Sequence, residues 1–179
     1  GKKEYDLAER VLGNAFILLI IVSIVMSGVG FLIKDPMLRM FGAGPDTIDY
    51  ANQYLNIILL GVPFNMIGFS LNNLIRSEGN AKIAMHSMLI SAGINIALDP
   101  IFIFALGMGV KGAAIATIIS QFILCIWVLR HFRSANSVVK LKAKYFPIKW
   151  GVVLSIITIG FSPFSMQFAA SFVHGLFNV

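Results

Sequence analysis

Residues 83–110 read IAMHSMLISAGINIALDPIFIFALGMGV, an apolar run interrupted by one acid, Asp99. A run of this length is too long for a strand and long enough to cross a bilayer, since a spanning helix needs about 20 apolar residues. Asp99 is also the only acid between Gly79 and Val179. A carboxylate near the middle of a bilayer costs about 2.5–3.5 kcal/mol on insertion scales. A chain that keeps one there uses it for an ion, a proton or a charged substrate. Asn95 lies four residues earlier, so on a helix both side chains project from one face.

Working outward, the whole chain has the same character. It is 58% hydrophobic and 12% charged, with a mean hydropathy of +0.85. A soluble domain carries about 25% charged residues. Four further stretches qualify as spans: residues 11–33, 51–75, 112–129 and 150–179. The expected fold is all-α, a polytopic transmembrane helix bundle with five spans. The basic start leads directly into acids and the first apolar run is too long for a signal peptide's core. With no initial Met and an apolar C-terminal run, the chain reads as a fragment of a longer protein. The single cysteine, Cys125, excludes a disulfide framework and a thiolate metal site.

The net charge of +6 is sorted along the chain. Arg130, Arg133, Lys140, Lys142, Lys144 and Lys149 share one connection that holds no acid. Positive loops stay cytoplasmic. Placing that loop inside puts eleven of the 14 Lys and Arg inside, with only Lys34, Arg39 and Lys111 outside. The charge therefore orients the chain in a cell membrane with its N-terminus cytoplasmic, and it does not point to nucleic acid.

Residues 34–49 read as a connection, because Pro36, Gly42, Gly44 and Pro45 break helices and Asp46 or Thr47 can cap the next one. Gly79 suits the position just past the end of the second span. Gly107-Met108-Gly109 makes a tight turn. Short loops force antiparallel neighbours, as in a bundle. Pro63 and Pro163 lie inside spans and are expected to kink them. Gly112, Ala113, Ala114 and Ala116 suit close helix contact. The polar segment 134–149 is the expected linker between two bundles.

The third and fourth spans form a hairpin around Met108. Equal distances from its turn pair Asp99 with Thr117 and Asn95 with Gln121 in depth. Asn95, Asp99, Thr117 and Gln121 are thus candidates for one intramembrane cluster of hard ligands, suited to Na⁺ or to holding a proton. The alternative makes Asn95 and Thr117 packing residues and Asp99 a cap on a helix broken at Pro100. On the second span, Tyr54 and Asn72 are 18 residues apart and share a face, with Asn65 and Asn73 on the same helix. They form a cavity wall or hydrogen-bond between helices. Met85 and Met88 line an adaptable surface or simply pack, and His86 is interfacial.

Gly107-Met-Gly109-Val-Lys-Gly112 matches a dinucleotide fingerprint, but such a site needs an acid about 20 residues further on. None follows Asp99. There is no H-E-x-x-H, no phosphate loop and no Ser/His/acid set, so the chain is not read as an enzyme.

Residues 95–104 (NIALDPIFIF) and 107–117 (GMGVKGAAIAT) resemble the multidrug and toxic compound extrusion (MATE) transporters. Tyr54-Leu, Pro63-Phe64 and Leu74-Ile-Arg76-Ser-Glu-Gly79 fit the same pattern, and residues 160–171 look like the opening of that family's second lobe. The resemblance implies a twelve-helix fold in two lobes, of which this chain covers helices three to seven. Residues 1–133 would belong to the first lobe, 134–149 to a cytoplasmic basic linker and 150–179 to the first helix of the second. It implies an antiporter exporting cationic or amphipathic drugs, coupled to Na⁺ or H⁺ influx and needing no other cofactor. The implied ion site uses Asn95, Asp99 and Thr117 with an acid of helix one, and the implied substrate cavity takes in Tyr54, Asn72 and Met88. Membrane lipid and the remaining helices are the further expected partners. A lipid or polysaccharide-precursor flippase would prefer a basic cavity, and a non-transporting membrane assembly protein would not need Asp99.

Overall fold

The computed structural model describes residues 2–42 and 44–177. Five α-helices follow in order: α1 (Lys2–Met40), α2 (Ile48–Ser77), α3 (Ala81–Pro100), α4 (Val110–Arg133) and α5 (Trp150–Phe177). A π-helical turn, Ile101–Ala105, extends α3, and a 3₁₀ turn covers Ala143–Tyr145. Among the described residues, each of the five helices is long and apolar enough to cross a membrane.

Pro36 does less than the sequence suggests. Residues 34–40 were expected in the first connection, yet α1 runs through Pro36 to Met40. Proline removes one N–H and so frees one carbonyl, that of the residue four before it. Near a helix end this loss is small, and Lys34 Nζ donates to Asn56 Oδ1 of α2 at 2.7 Å, fastening the last turns. The turn that follows Met40 places Gly42 at φ +84°, a conformation open to glycine. Gly79 closes α2 as expected, with φ +86°, while Glu78 and Asn80 donate back to Leu74 and Ile75 carbonyls. Pro63 and Pro163 both lie inside continuous helices.

The chain forms two compact units, described separately: Leu19–Leu141, and Gly1–Leu18 with Lys142–Val179. In the larger unit, α2 and α4 share the most extensive contact. Gly61 and Gly68 make it close. A Cβ on Gly61 would stand 2.6 Å from Ile118, and one on Gly68 would stand 3.3 Å from the Cys125 backbone. Leu71, Ile75, Val128 and Phe132 continue the seam, fully or almost fully buried. Between apolar helices in lipid, such contact replaces the hydrophobic effect as the cohesive force. Gly112, expected at a close contact, lies against the Phe102 backbone, and Ala114 and Ala116 are buried.

The smaller unit is organised by Asn14, which is fully buried. Its Nδ2 donates to the Tyr145 carbonyl at 3.0 Å, and its Oδ1 accepts the Lys149 N–H at 2.7 Å. Gly13 lets the Tyr145 backbone come close, since a Cβ there would meet that carbonyl oxygen at 2.8 Å. Lys142 pairs with Glu9 at 2.6 Å, and the Tyr145 hydroxyl donates to Asp6. The Lys144 pKa is raised, first by Tyr145, over whose ring its Nζ sits at 4.4 Å, and then by the nearby acids, on an exposed side chain where such pairs contribute little. Residues 142–149 therefore form a strap fixed on the first turns of α1, not a free tether.

Candidate functional site

Asn95 and Asp99 sit one turn apart on α3, both half-buried. Asn95 Nδ2 and Asp99 Oδ1 are each shielded from solvent and have no hydrogen-bond partner among the described residues. Leaving such a group unsatisfied costs about 1–3 kcal/mol. Asp99 does not cap a broken helix. α3 continues through Pro100 into the π-helical turn, with no side-chain cap at this junction. The wider turn absorbs the proline, and Leu106 donates to the Ile101 carbonyl at 2.9 Å.

The depth pairing differs from the expected one. Ser91 Oγ donates to the Ser120 carbonyl at 2.9 Å, and Phe102 lies against Gly112. Interpolating between these contacts sets Asn95 roughly level with Thr117, and Asp99 roughly level with Ala114. The expected pairs, Asp99 with Thr117 and Asn95 with Gln121, are thus displaced by about one helical turn. Equal counting from Met108 assumed that the two arms pack in register with the turn, which these contacts do not show. Thr117 Oγ1 donates to the Ala113 carbonyl at 2.9 Å and keeps lone pairs for a ligand. Gln121 faces α2, its Oε1 3.3 Å from where a Gly61 Cβ would stand. No hydrogen bond joins any two of these four side chains among the described residues.

Of the residues assigned to a cavity, Tyr54 is exposed and Asn72 is buried. Asn72 Nδ2 donates to the Ala84 carbonyl at 2.9 Å and to Ser87 Oγ at 2.6 Å. The interhelical alternative is thus realised there, holding α2 to α3. Arg76 Nη2 points at Met88 Sδ from 3.3 Å. Tyr54 and Asn72 are about 27 Å apart along the helix axis, at opposite ends of the span.

Sequence reasoning missed a buried polar cluster at the other end of this unit. The Glu78 carboxylate accepts from His131 Nε2 (3.3 Å), Ser137 Oγ (3.1 Å) and the Val139 N–H (3.0 Å). The His131 and Glu78 side chains are only 5% and 7% exposed. The available signal was that both end a span on the same side of the membrane. The clasp holds the first half of the basic segment against the ends of α2 and α4.

The arrangement is a polytopic α-helical bundle of membrane-span-like helices with an unsatisfied acid inside one of them. The chain belongs to the MatE family, whose model matches residues 1–101. It is 30% identical over 93% of its length to the multidrug export protein MepA of Staphylococcus haemolyticus (strain JCSC1435), covering 37% of that protein. It is 28% identical over its full length to MepA of Staphylococcus aureus (strain MRSA252), covering 40%. A crystal structure of MATE in the bent conformation superposes with a TM-score of 0.85 at 28% identity, over 94% of this chain and 39% of that one. An inward-facing multidrug resistance MATE transporter gives 0.83 at 28% identity, over 90% and 37%. The chain spans about two fifths of the length of the curated relatives it matches. It is a multi-pass membrane protein of a multidrug-export transporter family whose members are not enzymes.

Proposed function

We propose that the chain is part of a secondary antiporter that exports cationic or amphipathic compounds, driven by Na⁺ or H⁺ influx, with Asp99 as the coupling group. The observation that carries this reading is the pair of unsatisfied atoms on α3, Asp99 Oδ1 and Asn95 Nδ2, one turn apart and not bonded to each other. Such a pair leaves a place for a third partner. A proton on Asp99 would remove the charge, and Na⁺ would use the carboxylate together with the Asn95 amide oxygen. An amide's nitrogen and oxygen exchange by a flip of the group. Thr117, level with Asn95, would add a hydroxyl oxygen, and Gln121 would serve as an outer neighbour.

Occupancy of this site would favour one arrangement of the helices over another, and drug would bind those arrangements unequally. That differential affinity is what couples the two fluxes. Tyr54 and Met88 would line the drug's path at different depths, with Asn72 fixing the wall behind them. In the intact protein, residues 1–133 would belong to the first lobe, 134–149 to a cytoplasmic connection and 150–179 to the second lobe. The N-terminus would face the cytoplasm.

The test is Asp99→Asn in the full-length transporter. It keeps size and hydrogen bonding but removes the charge and the titratable proton. Ethidium efflux under an imposed Na⁺ or proton gradient, normalised to protein in the membrane, should be abolished. Asn95→Ala and Thr117→Ala should weaken it less, as each removes one neutral ligand. Wild-type efflux by Asp99→Asn at normal expression would refute the assignment.

A further inference from the structure

A cavity of about 430 Å³ opens at the opposite end of the α3–α4 pair from the hairpin turn, lined by Ile83, Trp127, Arg130, His131, Ser134 and Asn136. Its volume is many times the roughly 30 Å³ share of one water, enough for a phosphate group and its substituents. Trp127, Arg130, His131 and Ser134 follow one another at helical spacing, so α4 and its C-terminal cap present them on one face. Arg130 is exposed and has no hydrogen bond or ion pair among the described residues.

The charge is one-sided. Lys82 precedes Ile83, Arg133 follows close behind, and no acid lies beyond Asp99 in the sequence. The one acid nearby, Glu78, already accepts from three donors, including His131 Nε2. Above the cavity, Arg130 continues a stripe with Ile126 and Phe122 at four-residue steps, 41% and 44% exposed. An arginine, an indole and an apolar stripe at the end of a membrane span match a lipid: charge at the headgroup, ring at the interface, hydrocarbon beyond.

We propose that this cavity binds the phosphate headgroup of an anionic phospholipid, with Arg130 as the charge partner, Asn136 as a neutral donor and the acyl chain along Ile126 and Phe122. Soluble phosphate shares the headgroup chemistry but has no use for the stripe. Basic pockets between spans are general sites for such headgroups.

The intact transporter in detergent is titrated with phosphatidylglycerol, phosphatidylcholine or inorganic phosphate, and bound lipid is counted by native mass spectrometry. Phosphatidylglycerol should bind, and Arg130→Gln should weaken it about tenfold, as a charge-assisted contact is lost. Arg133→Gln removes the same charge outside the cavity and should change binding less than about threefold. Equal losses in the two variants would mean diffuse surface attraction and overturn the site. Equal binding of phosphatidylcholine would overturn the requirement for an anion. Displacement of the lipid by equimolar inorganic phosphate would overturn the lipid as occupant. Both arginines are exposed, so the folding of the variants is checked simply by an unchanged melting temperature.

Discussion

Replacing Glu78 with alanine should free the first half of the basic segment while leaving the helices intact. Its carboxylate is 7% exposed and accepts three hydrogen bonds, from His131, Ser137 and the Val139 backbone. Hydrogen bonds to a charged group contribute about 1.5–3 kcal/mol each, but they are not additive. Removing one member of a buried ionic cluster costs about 3–5 kcal/mol, because the partners stay buried and unpaired. Here two of the partners, Ser137 and Val139, can instead leave, since residues 134–140 are a loop with exposed positions at Ala135, Asn136, Val138 and Lys140. The cost therefore becomes a local opening. At about 3 kcal/mol the open population rises more than a hundredfold. Cleavage that is slow relative to reclosing tracks that population. Trypsin digestion of membranes carrying the intact transporter, followed at Arg133 and Lys140, reads it directly. Glu78→Gln keeps an acceptor for Ser137 and Val139 and should fall between wild type and Glu78→Ala. A Glu78→Ala cleavage rate within twofold of wild type would refute the clasp.

Three further outcomes are expected. Gly13→Ala drives a Cβ to 2.8 Å from the Tyr145 carbonyl oxygen, so it should loosen the strap and speed trypsin cleavage at Lys142 and Lys144. Gly112→Ala places a Cβ 2.7 Å from the Phe102 backbone, which cannot turn away; an overpacking cost of about 1–3 kcal/mol should lower the melting temperature in detergent. Gly28→Ala meets nothing within 4 Å and should leave it unchanged or slightly raised. For orientation, single cysteines at Ala135 and Gly44 are labelled on intact cells with an impermeant reagent; label at 44 and none at 135 is expected, and the reverse would overturn the cytoplasmic placement of the basic segment.

The five spans were legible in the sequence because a bilayer demands long apolar runs, and run length needs no knowledge of neighbours. The charge of Asp99 stood out for the same reason, since its cost in hydrocarbon depends on the solvent more than on any contact. Glycine ends were readable too: positive φ at Gly42, Gly79, Gly107 and Gly109 is a local property of residues without a Cβ. What needed tertiary structure was everything set by partners. Pro36 and Pro100 did not end their helices, because a helix end and a π-helical turn each accommodated the missing N–H. Asp99 is out of level with Thr117 because the packing of α3 on α4, with Ser91 at Ser120 and Phe102 at Gly112, sets the register, and counting from the turn cannot foresee it. The basic segment read as a linker because its own residues are polar and apolar spans flank it. Asn14 and Glu78, far away in sequence, supply the hydrogen bonds that hold its two halves, and only the folded chain brings those partners within reach.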